Sequence, residues 1–216
     1  MIHIFGDSFS ENHWPIFLTE ITGIDHVNHA KIGETNEFIL KTLIESMGTF
    51  KVGDHIIIQT SGQGRINIFE RVIYGDEVHN GLYKHHSDRF TKKQCNIIKD
   101  WYDTFFLPQK IQEDTTINSI INISNYLSRS QNVILWNLTS LGFEGSKVLN
   151  DNVPSSPKVP HSDLWLELSE GGKKGWIEIL MERDLTCSDN DPHPSIIGNR
   201  FIATEISKRI GDLRFI

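Results

Sequence analysis

Ser8 closes the turn Gly6-Asp7-Ser8, directly after the apolar run Ile2-His3-Ile4-Phe5, and His193 is held between Pro192 and Pro194 with Asp191 two residues before it. A hydroxyl, an imidazole and a carboxylate are the three groups of acyl transfer. The hydroxyl attacks a carbonyl, the imidazole takes its proton and returns it to the leaving group, and the carboxylate fixes the imidazole. N–H donors must also face the developing oxyanion. A serine between a buried strand and a helix lies where backbone N–H groups point outward, and Gly6 lets that turn stay tight. Taken alone, Gly-Asp-Ser is a turn that caps the next helix, with Asp7 its structural partner, and a lone loop histidine is a solvated one. The two together, at opposite ends of one chain, carry more.

The elements that must position these groups are legible in the apolar pattern. Ile2 to Phe5 reads as a buried strand. A helix follows, with Ser10 as its expected N-cap, Trp14, Phe17, Leu18 and Ile21 at helical spacing, and Gly23 at its C-terminal end. Val27 to Ala30 is a weak second strand, and Phe38, Ile39, Thr42, Leu43 and Met47 mark a second helix ending at Gly48. His55 to Thr60 is a continuous β-branched run of the kind found in a parallel strand covered on both faces. Val133 to Trp136 repeats it after a helical stretch in which Ile117, Ile120, Ile121 and Leu127 share a face. Ser195 to Ile210 predicts a last helix, buried through Ile197, Phe201, Ile202, Ile206 and Ile210. Alternating strands and helices imply an α/β fold, a three-layer αβα sandwich around a mostly parallel, flavodoxin-like sheet. Ligands bind at the carboxyl ends of such strands, so the small-residue turns at 6–8, 33–36 and 61–65 should converge there.

The composition bounds the function. The 216 residues suit one domain over 1–216; with 38% hydrophobic and 23% charged residues the chain is neither fibrous nor disordered. Lys+Arg 21 against Asp+Glu 28 gives a formal net charge of -7, which opposes binding to polyphosphate and so argues against nucleic acid. No window approaches the roughly 18 apolar residues of a membrane span, and the start of the chain lacks a basic-then-apolar leader, so no membrane partner is expected. Cys95 and Cys187 read as reduced thiols. Residues 66–90 and 142–162 do not fit the alternation and read as surface insertions, the places where substrate choice would be made.

In order and content these blocks resemble the SGNH (GDSL-type) hydrolase superfamily of esterases and lipases. Phe5-Gly6-Asp7-Ser8-Phe9-Ser10 is similar to its first block, Gly33 in Ala30-Lys31-Ile32-Gly33-Glu34-Thr35-Asn36 to its second-block glycine, and Asp191-Pro192-His193-Pro194-Ser195 to its last. The resemblance implies Ser8 as nucleophile, His193 as base and Asp191 as triad acid, with Asp189 in reserve. It implies an oxyanion hole built from the N–H groups of Ser8 and Gly33. The family's third block supplies an Asn side chain as a further donor, whereas this chain reads Thr60-Ser61-Gly62-Gln63-Gly64-Arg65, so Asn36, Gln63 or Arg65 must stand in. Losing one such donor costs roughly 100- to 1,000-fold in rate. The Gly33-to-Asn36 spacing and the arginine resemble divergent, many of them phage-encoded, branches.

The expected function is therefore a serine esterase acting on a small-molecule or carbohydrate ester, an O-acetyl group among the options, with no metal or organic cofactor required. Its expected location is cytoplasmic or virion-associated. The alternatives are an acyltransferase with the same triad and an SGNH-fold binding or virion module with little turnover. The 10 histidines include no H-x-x-x-H pair, and His26 with His29, or His79 with His85 and His86, read as exposed loop residues rather than metal ligands. Trp14 and Trp136 fall on core elements; Trp165 and Trp176 are the candidates for a sugar-stacking wall.

Overall fold

The run His55–Thr60 becomes β3, buried at every position, because it lies between two parallel neighbours and under helices on both faces. A computed structural model of the protein describes the chain apart from residues 12, 63–64, 69–70, 75–81, 139–163, 167, 169–174, 189–190 and 214–216, and without the side chains of 65–68, 71–74, 82, 85, 103, 105–114 and 212–213. The central sheet has the order β2-β1-β3-β6, with β1 Ile2–Phe5, β2 His26–Asn28 and β6 Asn132–Asn137, all parallel. Ile4, Ile57 and Ile134 lie in one row across it, and Phe5, Ile58 and Leu135 in the next. A single parallel bridge from Leu135 to Trp165 adds one more place beyond β6.

The strand period of two sends these rows to opposite faces. Ile2, Ile4, Ile57, Ile134 and Trp136 face a core shared with α2 (Trp14–Thr22), α6 (Trp176–Glu182) and α7 (Ile196–Leu213). Phe5, Ile56, Ile58, Val133 and Leu135 face the other core, shared with α3 (Asn36–Ser46) and α5 (Lys92–Leu127). This is the expected αβα sandwich. Each helix end has a local cause. Gly23 at φ 68° caps α2 through its N–H to Thr19 O, Thr35 caps α3, and Thr91 with Gln94 makes a capping box for α5.

Several expectations are corrected. Ser10 does not cap α2, which starts only at Trp14; it lies in a separate short helix α1 (Ser8–Glu11) with its hydroxyl turned inward. Ile21 and Ile197 sit at helical spacing yet are exposed, at 51% and 69%, because α2 and α7 present narrower apolar stripes than the spacing suggested. Helix α5 runs on well before Ile117: its 36 residues reach about 54 Å. Exposed Ile97 and Trp101 beside buried Ile98 and Tyr102 blur the one-face period there. In the 66–90 excursion the described residues include the antiparallel pair β4 (Arg65–Ile68) and β5 (Arg71–Tyr74) and the short α4 (Leu82–His86). The 142–162 excursion lies outside the described residues. Among the described residues no helix is long and apolar enough to cross a membrane.

Candidate active site

The carboxyl ends of β1 and β3 meet in a buried polar knot that sets the turn carrying Ser8. Gln59, fully buried near the end of β3, accepts from the Asp7 N–H at 3.1 Å and from the Ser10 hydroxyl at 2.9 Å through one oxygen, while its amide donates to Thr60 O at 2.7 Å. Asp7, also fully buried, accepts the Phe9 N–H at 3.0 Å and the Ser61 hydroxyl at 3.0 Å. A carboxylate in that position is tolerable only because hydrogen bonds replace its water. The turn is thus held from both sides, and the Ser8 side chain is left half-buried at the mouth.

Gly6 is required by contact. A β-carbon there would lie 2.5 Å from the Gln59 side-chain oxygen and 2.6 Å from the Ser10 hydroxyl. Gly6→Ala is expected to cost about 1–3 kcal/mol in urea unfolding, since the two groups it would displace are the ones holding the turn.

His193 arrives from the other end of the chain on an antiparallel ribbon that the sequence did not suggest, β7 (Thr186–Ser188) paired with β8 (Asp191–Pro194). Its Nε2 lies 2.8 Å from Ser8 Oγ and its Nδ1 lies 2.7 Å from Asp191 Oδ1, which also accepts the His193 N–H at 3.1 Å. A neutral imidazole that donates from Nδ1 to a carboxylate presents the Nε2 lone pair, here to the Ser8 hydroxyl. The His193 side chain, then its backbone N–H, hold the Asp191 carboxyl below its ordinary range against a small opposing effect of burial. The ribbon is fixed to the rest of the fold by Asn199, 1% exposed, whose amide donates to Pro194 O at 2.9 Å while its oxygen accepts the Trp14 N–H at 3.0 Å.

The remaining predicted residues are placed as follows. Gly33, at φ +74°, adopts the left-handed conformation that favours glycine. Its loop is tied to the Ser8 turn on two sides, by Lys31 N–H to Gly6 O at 3.3 Å and by the Ile32 N–H to the Glu11 carboxylate. Asn36, 3% exposed, clasps the backbone of Ser61: its oxygen accepts the Ser61 N–H at 2.8 Å and its amide donates to Ser61 O at 3.2 Å. Gln63 and Asp189 lie outside the described residues, as does the side chain of Arg65, whose backbone opens β4.

Trp165 and Trp176 are 4% and 1% exposed and belong to the two cores, so neither is a wall for substrate. His86 is buried, and His29 stacks on Phe5 with ring centroids 4.5 Å apart, so these two are not the exposed loop residues expected. Among the described residues no group of three His, Cys, Asp or Glu side chains could hold a metal ion. Gln59, Ser61 and Asn199 were not singled out by the sequence reading. The available signal was a polar side chain ending an apolar strand, or standing amid apolar helix positions, where burial obliges it to bond.

No family model matches the sequence, and no curated protein does. Among solved structures, a protein from Slackia heliotrinireducens provisionally described as an SGNH hydrolase superposes with a TM-score of 0.50 and 12% identity, covering 97% of both chains. The two share a fold. A protein from Desulfitobacterium hafniense, provisionally described as a lipolytic protein of the G-D-S-L family, aligns over 96% of this chain and 98% of its own at 19% identity, with a TM-score of 0.42.

Proposed function

We propose that the protein is a serine esterase of the SGNH type, hydrolysing a carboxylic ester through Ser8, His193 and Asp191. The observation that carries this reading is the unbroken hydrogen-bonded chain from Ser8 Oγ through both imidazole nitrogens to Asp191, at 2.8 and 2.7 Å, built from residues 185 positions apart. Ser8 Oγ attacks the ester carbonyl as Nε2 takes its proton, and the imidazolium that results is paired with Asp191. The tetrahedral oxyanion is held by the N–H groups of Ser8 and Gly33, with Asn36, Gln63 or Arg65 as third donor. Collapse expels the alcohol, which leaves with the proton from Nε2, and water repeats the sequence on the acyl-enzyme.

The His193 and Asp191 side chains are 38% and 50% exposed, so the base is open to water, the acceptor that hydrolysis uses. The substrate class proposed is a small O-acyl ester, an O-acetyl carbohydrate included, chosen by the loops around the mouth. The test is turnover of a short-chain aryl ester with and without a millimolar alcohol acceptor. Free carboxylic acid as the product in both supports an esterase; an acyl-alcohol product that outcompetes water makes the protein an acyltransferase, and no turnover favours a binding module.

A further inference from the structure

The imidazole of His193 rests on the face of the Phe9 ring, with centroids 4.8 Å apart and planes at 25°. Its other anchor is half in water: Asp191 is 50% exposed, and a hydrogen bond to an exposed carboxylate holds a side chain weakly because water competes for both partners. Phe9 is the opposite kind of support. It is 2% exposed and packs in the core with Trp14 and Trp136. Its backbone is pinned at both ends, the N–H donating to Asp7 at 3.0 Å and the carbonyl accepting from the Trp14 indole N–H at 2.8 Å.

We infer that Phe9 is a positioning residue for the proton transfer, holding the plane of the His193 imidazole and facing the positive charge that develops on it as it takes the Ser8 proton; this rests on the esterase reading above. The face of an aromatic ring is the negative part of its quadrupole and attracts a cation within about 6 Å of the centroid. His193 carries that charge only after it has taken the Ser8 proton. The attraction is therefore stronger in the transition state than in the resting site, and an interaction of that kind raises kcat rather than affinity. Phe9 also follows Ser8 by one peptide bond. The turn that presents the nucleophile thus presents the surface on which the base lies, and the β7–β8 ribbon has only to lay His193 upon it.

Two replacements separate the effects of packing from those of charge. Phe9→Leu removes the ring, and pentafluorophenylalanine at position 9 keeps its shape while reversing the sign of its face. Both are expected to lower kcat for an aryl acetate by about 3- to 30-fold with KM unchanged. Ring-current shifts give a readout that needs no turnover: the His193 ring protons of the wild type should lie upfield and move downfield in Phe9→Leu. An active wild type whose pentafluoro variant retains full kcat, or whose His193 protons show no upfield shift, overturns the inference alone. A wild type with no Ser8-dependent turnover overturns the esterase reading, and the inference with it, whatever the shifts show.

Discussion

Ser8→Ala is expected to lower kcat for a short-chain aryl ester by about 10⁴-fold or more, and to leave no more than the background that binding and oxyanion donors supply without a nucleophile. The size follows from the site: the hydroxyls of Ser10 and Ser61, which share the buried knot behind the turn, are committed to Gln59 and Asp7, so neither can replace Ser8. The fold should survive, because the turn is held by the backbone of Asp7 and Phe9 and by the side chains of Asp7, Ser10 and Gln59. Circular dichroism and thermal unfolding of the variant should therefore match the wild type while turnover disappears. Equal turnover in the two proteins would remove Ser8 from the chemistry.

His193→Ala should be of similar size, and the double variant with Ser8→Ala should be no worse than either single one, since the two groups act as a unit. It carries a second signature. The His193 imidazole is the main cause of the lowered Asp191 carboxyl, so removing it should move the Asp191 titration upward toward the ordinary carboxylate range, with the backbone N–H of residue 193 still acting to lower it, observable by carbon NMR. In the wild type Asp191 thus stays ionised to lower pH than a free aspartate, and loss of its charge should set in only below that range as the solution is acidified. An Asp191 titration indifferent to His193 would contradict the hydrogen bond, and with it the triad geometry.

The layers of the fold were legible because they follow from period alone. Ile56-Ile57-Ile58 and Val133-Ile134-Leu135-Trp136 could only be buried on both faces, and the helices between them had to cover those faces. The ends of the site were legible because Gly6-Asp7-Ser8 and Asp191-Pro192-His193 are local patterns. What was not legible is long-range. That Gln59 would reach back 52 residues to the Asp7 N–H, or Asn199 185 residues to that of Trp14, depends on where the sheet and α7 bring them. Ser10 shows the same limit from the other side: beside a helix it reads as a cap, and only the neighbouring β3 turns its hydroxyl inward. Trp165 and Trp176 were misplaced because irregular sequence around a tryptophan carries no signal of the sheet edge or the core that buries it.

The central claim, that Ser8 is a nucleophile activated by His193, is tested most directly by treating the protein with a fluorophosphonate and locating the adduct by peptide mass spectrometry. A nucleophilic Ser8 displaces fluoride and gains one phosphonyl group on the peptide containing Ser8, with no adduct in Ser8→Ala and slow labelling in His193→Ala. Wild-type protein that stays unlabelled at Ser8, or that labels equally well without His193, would contradict the account.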